Sequence, residues 1–454
     1  MGDPLEGTER PGHVAADLSA RAFTRFYAPL AATSLLLTAT NPLLAAALAR
    51  TADPATALAG YSVAFALTGV LYAPLLVVQQ VTATRLLEGG DAGAVRRLAL
   101  AAGVLLSAVA AAVAYAAPGD WIFGGVVGVS GAVHAEARSA MGLLWPVPLL
   151  TGIRALHQGR LVAGRRTHPI AVATGVRTGV LAVVAFALAG TAPGARVGAA
   201  AFTAGLVVET LLVMVAPSDR PRVRPRPAGA PPSGRRLVRF SVPLVVNVLL
   251  WWSTPLVINA VLARTPEPDR ALAAFAVVEA LAWFVTAPVG QLQHASIALV
   301  EGRATHVRVR SWAGLLSLAV AALLGIVALP WVREPLLWLG FRLDGSLLGP
   351  AGRALPLTAL YPLLYGHRQY YQGLFVRAGN PGVVGWGAAL RVAAIVVAAI
   401  VLLDPLGRFG AAFGVGLAVG GLVVEGVVLE RFSRRKALSA LERRPAAEAE
   451  TVPG

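Results

Sequence analysis

The segment PLLTGIRALHQG, Pro148 to Gly159, returns 214 residues later as PLLYGHRQYYQG, Pro362 to Gly373. The match sets Arg154 on Arg368, Gln158 on Gln372 and Gly159 on Gly373. Carried back without a gap, the same shift lays Arg25-Phe26 on Arg239-Phe240, Pro54 on Pro268, Ala73-Pro74 on Ala287-Pro288 and Gln79 on Gln293. From Arg25 to Gln80, 22 of 56 positions are identical. Alanine bias raises that figure but does not explain the matched Arg, Pro and Gln. Further on, Arg177 falls on Arg391, and GLVVE at Gly205–Glu209 recurs, displaced by two residues, at Gly421–Glu425. The chain is a tandem duplication.

Composition says what was duplicated. The 454 residues are 56% hydrophobic and 14% charged, with a mean hydropathy of +0.68. Soluble domains carry about 25% charged residues, so this chain has too little polar surface to stay in water. Apolar runs bounded by Arg, Gly and Pro give twelve spans, at 26–49, 56–84, 97–117, 135–160, 168–190, 196–217, 239–263, 271–300, 311–332, 353–377, 382–403 and 408–431. The runs are long, rich in Ala and Leu, and lack period-2 alternation, which excludes strands. The expected fold class is an all-α polytopic membrane protein, twelve transmembrane helices in two pseudo-symmetric six-helix lobes. An N-terminal tail (1–24), N-lobe (25–217), basic linker (218–238), C-lobe (239–431) and C-terminal tail (432–454) make up the expected organisation.

Of the 39 Lys and Arg, 26 lie in the tails and even-numbered loops and 8 in the remaining loops. The positive-inside rule therefore puts both termini and the linker in the cytoplasm, at a plasma membrane. That distribution also accounts for the net charge of +16, which meets anionic lipid rather than nucleic acid. The polar N-terminus has no signal-peptide pattern. Without cysteine there is no disulfide scaffold or thiolate metal site. No metal site or cofactor is expected. Six spans per half is an even number, so both halves enter the membrane in the same sense, with a symmetry axis along its normal.

Twelve spans in two lobes joined by a cytoplasmic linker resemble the multidrug and toxic compound extrusion (MATE) fold, of the superfamily that also contains lipid-linked oligosaccharide flippases. The stretch LRVAAIVVAAIVLLDPLGRFGAAFGVGLAVGGLVVE, Leu390 to Glu425, more narrowly resembles the progressive ankylosis family, as do His157-x-Gly159 and Arg368 with Gly373. The resemblance implies a transporter. The narrower likeness implies organic anions such as citrate or nucleotides as the substrate class. The chain departs from the proton-coupled branch, which carries an acidic residue in span one. Here that span offers only Thr33, Ser34, Thr38, Thr40 and Asn41. The Na⁺-coupled branch uses carboxylates in the second lobe, where Glu279 is the loosely comparable group.

Charges at membrane depth cost several kcal/mol and mark functional candidates. Arg177 lies about 14 Å from the start of span five, and Glu209 at similar depth in the next span. Arg391 and Glu425 repeat the arrangement. Each Arg–Glu couple is either a buried ion pair holding a lobe together or a cavity-facing guanidinium that offers a planar fork to carboxylate or phosphate. Arg154 and Arg368 are placed nearer the cytoplasm, and Arg138 at the outer interface beside Glu136. Substrate candidates are thus Arg177, Arg391, Arg154, Arg368, Gln158, Gln372 and His157. Coupling-ion or proton candidates, for Na⁺ or H⁺, are Glu279, Glu209 and Glu425. Helix–helix hydrogen bonding is the alternative role for the Gln and His groups, and cavity lining or packing are the alternatives for Trp251-Trp252 and Trp283.

The expected function is secondary transport of an anionic small molecule by a monomer working through alternating access. A lipid-linked sugar flippase or a multidrug cation antiporter is the alternative within the superfamily. An intramembrane transferase would need a catalytic constellation, and the sequence has no HExxH, GxSxG, paired intramembrane Asp or P-loop. No enzyme activity is expected.

Overall fold

The computed structural model describes residues 19–217 and 234–450, apart from 88–92, 165, 167, 192–193, 301, 344 and 378–381. The basic linker, most of the N-terminal tail and the side chains beyond residue 432 lie outside the described residues, and with them the expected linker conformation. Eleven described helices are long and apolar enough to cross a membrane. In the first lobe these are α1 (Phe23–Leu48), α2 (Pro54–Ala83), α3 (Gly93–Tyr115), α4 (Gly131–Ala163), α5 (His168–Leu188) and α6 (Arg196–Val215). In the second they are α7 (Gly234–Leu262), α8 (Pro268–Leu299), α9 (Arg303–Val327), α11 (Gly382–Leu406) and α12 (Ala411–Glu450). The twelfth span, α10, is in three pieces: Gly345–Ala354, a 3₁₀ stretch Leu355–Leu360, and Tyr361–Arg377. Pro356 and Pro362 interrupt it, because a proline removes a backbone donor and crowds the preceding turn. Its counterpart α4 likewise breaks at Trp145-Pro146.

The duplication extends to irregular structure. A π-helical turn at Trp121–Val127, between α3 and α4, recurs at Leu336–Gly340, between α9 and α10. Helices α2 and α8 are central. About three-fifths of each is buried, against 28% for α5, α9 and α11, whose outer faces are left for lipid. A central helix must be apolar all round, and α2 is. Exposed Tyr115, Trp121, Trp331 and Trp338 ring one end of the bundle, and Trp386 and Phe432 the other, the pattern of interfacial aromatic belts.

The glycine that closes the duplicated motif has a packing reason. A Cβ on Gly159 would lie 2.7 Å from the Gln79 carbonyl oxygen, and one on Gly373 would lie 2.5 Å from that of Gln293. Matched Gly and matched Gln are thus the same close helix crossing, made once per lobe. A carbonyl in a helix cannot step aside. Gly373→Ala is expected to destabilise the protein by about 1–3 kcal/mol, the usual cost of overpacking, read as a lower unfolding midpoint in detergent. An unchanged midpoint would show that the crossing has slack.

Call the face where α1 begins and α12 leaves the bundle the terminal face, and the opposite one the far face. Toward the far face the lobes share one core. Leu44, Leu48 and Leu58 pack in it with Ile258, Leu262, Phe275 and Phe413. Arg264 closes this side by donating to the carbonyls of Val126 (2.8 Å) and Val127 (2.7 Å), and Asn259 donates to Ser62 at 3.2 Å. Toward the terminal face the apolar contacts divide into separate clusters. Phe23 and Tyr27 of α1 pack with C-lobe residues, and Tyr27 donates to the Pro288 carbonyl. Val245 and Val248 of α7 pack against Val77, Val81 and Leu156.

Candidate functional site

The deep charges gather into one cluster per lobe. In the N-lobe, Glu209 is 1% exposed and accepts from Arg154 (2.8 Å), Arg177 (3.0 Å), Gln158 (3.2 Å) and Thr174 (3.2 Å). Both of its oxygens are committed. Arg177 also stacks over Phe202 at 5.0 Å. In the C-lobe, Glu425 is fully buried. Arg368 Nε donates to its Oε1 at 2.7 Å, and Arg391 Nε stands 3.5 Å from Oε2 without hydrogen-bond geometry. Glu425 Oε2 and Arg391 Nε have no hydrogen-bond partner among the described residues, nor has Gln372 Oε1. Arg368 donates to Gln369 Oε1 (2.6 Å) and Arg391 to the Leu250 carbonyl (3.1 Å).

Helix geometry brings these groups to one depth. Arg154 and Arg368 lie nine residues before the ends of α4 and α10, and Arg177 and Arg391 nine residues after the starts of α5 and α11. Nine residues is about 14 Å of helix. Arg154 and Arg368 are therefore not nearer the terminal face, as counting from the nearest charged residue suggests. They share the carboxylate with Arg177 and Arg391. Each cluster holds two guanidiniums and one carboxylate, so pairing leaves one positive charge.

The third acid stands apart. Glu279 accepts from Trp283 Nε1 at 2.6 Å and from the Tyr361 hydroxyl. Trp283 packs against Tyr361, Tyr365 and Trp251, with centroids 5.4, 5.0 and 5.8 Å apart. Trp251 in turn lies 4.5 Å from the guanidinium carbons of both Arg368 and Arg391. An aromatic box thus joins Glu279 to the C-lobe cluster.

Other expected residues fall elsewhere. His157 is half-buried and is not among the groups holding Glu209. Arg138 pairs with Asp120 at 2.5 Å and donates to the carbonyls of Ala114 and Ala116 rather than lying against Glu136. Glu136 instead accepts from the Ala195 backbone N–H at 2.6 Å. Sequence reading missed Thr174, Gln369, Tyr361 and Tyr365. Thr174 had a signal: it precedes Arg177 by three residues and so shares its helix face.

No family model and no curated sequence matches the chain. Its fold is similar to solved transporters. An inward-facing multidrug resistance MATE family transporter superposes with a TM-score of 0.71 at 17% identity, covering 90% of this chain and 96% of that one. A superfamily transporter from Pyrococcus furiosus, described as having a binding pocket of reverse polarity, gives 0.61 at 16% identity, covering 92% and 97%. The lipid II flippase MurJ, in an inward closed conformation, gives 0.62 at 9% identity, covering 95% and 94%. The chain is an integral membrane protein with a two-lobed, MATE-like helical fold.

Proposed function

We propose that the chain is a secondary transporter that moves an anionic solute, a small polycarboxylate or nucleotide-like molecule, by alternating access. The reading rests on the surplus positive charge in the C-lobe cluster. Arg391 Nε there has no hydrogen-bond acceptor in a site closed to water. Two guanidiniums against the single carboxylate of Glu425 leave a net positive charge in that site, which favours an anion as its ligand. Glu209 and Glu425 serve as counter-ions that hold the guanidiniums in place, and Glu279 serves as the site of the coupling H⁺ or Na⁺. The clusters sit at matched depth in lobes related by an axis along the membrane normal, which suits rocking of one lobe against the other. The far-face core is continuous and the terminal-face contacts are divided.

The test is uptake of labelled citrate and ADP by proteoliposomes, with lipophilic cations as competitors. Anions should compete. Arg391→Gln should weaken anion binding at least about tenfold, the lower range for a charged hydrogen bond. Inhibition by cations alone, unchanged by Arg391→Gln, would leave a cation extruder as the better reading. Movement of a lipid pyrophosphate but of neither soluble anion would leave a flippase.

A further inference from the structure

Arg368, Arg391 and Glu425 are 4%, 2% and 0% exposed, so no carboxylate or phosphate reaches them unless something moves. Helices α10, α11 and α12 carry the three groups, and of their own side chains Tyr365 lies 5.9 Å from the Arg368 guanidinium carbon. The closer cover comes from α7. Its Leu250 carbonyl accepts from Arg391, and its Trp251 indole lies against both guanidiniums. The indole face carries the negative part of the ring quadrupole, so α7 presents partial negative charge where the surplus cation is. Trp251 is itself only half-buried, whereas the guanidiniums it covers are buried.

In the other lobe Phe202 lies 5.0 Å from the Arg177 guanidinium carbon, and no tryptophan among the described residues covers both guanidiniums. The shift of 214 puts Leu37 and Thr38 of α1 where α7 has Trp251 and Trp252. The side chains of Arg154 and Arg177 there remain 15% and 14% exposed. The two lobes differ at this dipeptide. Its second residue faces the opposite lobe: Trp252 meets Tyr72 edge-on at 5.0 Å, and a Cβ on Gly69 would lie 2.5 Å from its Cε3.

We propose that Trp251 is the lid of the C-lobe anion site, and so a specificity-determining residue of the transporter. In the empty state its indole and the Leu250 carbonyl occupy the place of the substrate's anionic group, and the arriving anion displaces them. Because Trp252 is wedged against α2, displacing Trp251 loosens the interlobe seam, which links site occupancy to lobe movement. This rests on the anion-transport reading above.

Binding is measured calorimetrically on the purified full chain with citrate and ADP as probes. A packing tryptophan, when removed, weakens binding; a competing lid, when removed, strengthens it. Trp251→Leu is therefore expected to bind the anion about five- to thirty-fold more tightly, the range of desolvated cation–π contacts no longer lost on binding. Trp251→Phe, which keeps a weaker π face, should shift the same way by less, and it carries the test if the leucine variant does not fold. Trp252→Leu, which keeps the indole over the guanidiniums, should tighten binding less than Trp251→Leu. Wild-type binding with equal or weaker affinity in the Trp251 variants overturns the lid and leaves the anion reading standing. No anion binding by the wild type overturns the anion reading, and the lid falls with it.

Discussion

Glu425→Gln is expected to lower stability by about 3–5 kcal/mol, the cost of removing one partner from a buried ion pair. Glutamine keeps the volume and one acceptor oxygen, but its amide nitrogen is a donor and would face the guanidinium donors of Arg368 and Arg391. Two fully desolvated cations would then share a site with no counter-ion. The effect is read as the unfolding midpoint in detergent. Glu209→Gln should cost less, because Arg154 and Arg177 keep 15% and 14% of their side-chain surface and can draw on water. Adding Arg391→Gln to Glu425→Gln should restore more than 1 kcal/mol, a coupling that a double-mutant cycle measures directly. Equal losses in the Glu209 and Glu425 variants would show that burial does not set the cost.

The duplication and the Arg–Glu couples were legible because a constant shift preserves register even where composition is biased. Arg177 with Glu209, and Arg391 with Glu425, could be set at one depth from helical rise alone. The part played by Arg154 was not legible. A span edge drawn at Arg160 ignores that α4 runs on to Ala163. Those three residues are the difference between a snorkelling arginine and one that reaches Glu209. The aromatic box was hidden for another reason. Trp251, Trp283, Tyr361 and Tyr365 come from three helices, and only packing brings them together. Nor does the duplication help there, since Leu37 stands opposite Trp251 and Phe65 opposite Glu279. What the two lobes share is their architecture and ionic clusters; where they differ, the C-lobe carries the groups suited to gating and coupling.

Glu279→Gln is expected to abolish acceleration of transport by an imposed proton or sodium gradient while leaving exchange of labelled anion across the membrane intact. Glu279 stands eleven residues into α8, about 16 Å of helix from the far face. Its partners are neutral, the Trp283 indole N–H and the Tyr361 hydroxyl, and no ion pair to it occurs among the described residues. A carboxylate at that depth without a cationic partner is costly unless a proton or metal cation neutralises it. Taking up or releasing that cation changes the charge beside Trp283. Trp283 touches Trp251, and Trp251 covers the guanidiniums of Arg368 and Arg391. A coupling charge at Glu279 would thus act through the aromatic box on the proposed lid. Glutamine matches glutamate in size, and its oxygen can still accept from Trp283 Nε1 while its amide nitrogen donates to the Tyr361 hydroxyl oxygen, so folding and exchange should survive. The measurement compares uptake with and without a gradient in vesicles of identical composition. Equal rates in the variant, against a gradient-stimulated wild type, are the expected result; a variant as gradient-dependent as the wild type would remove Glu279 as the coupling site.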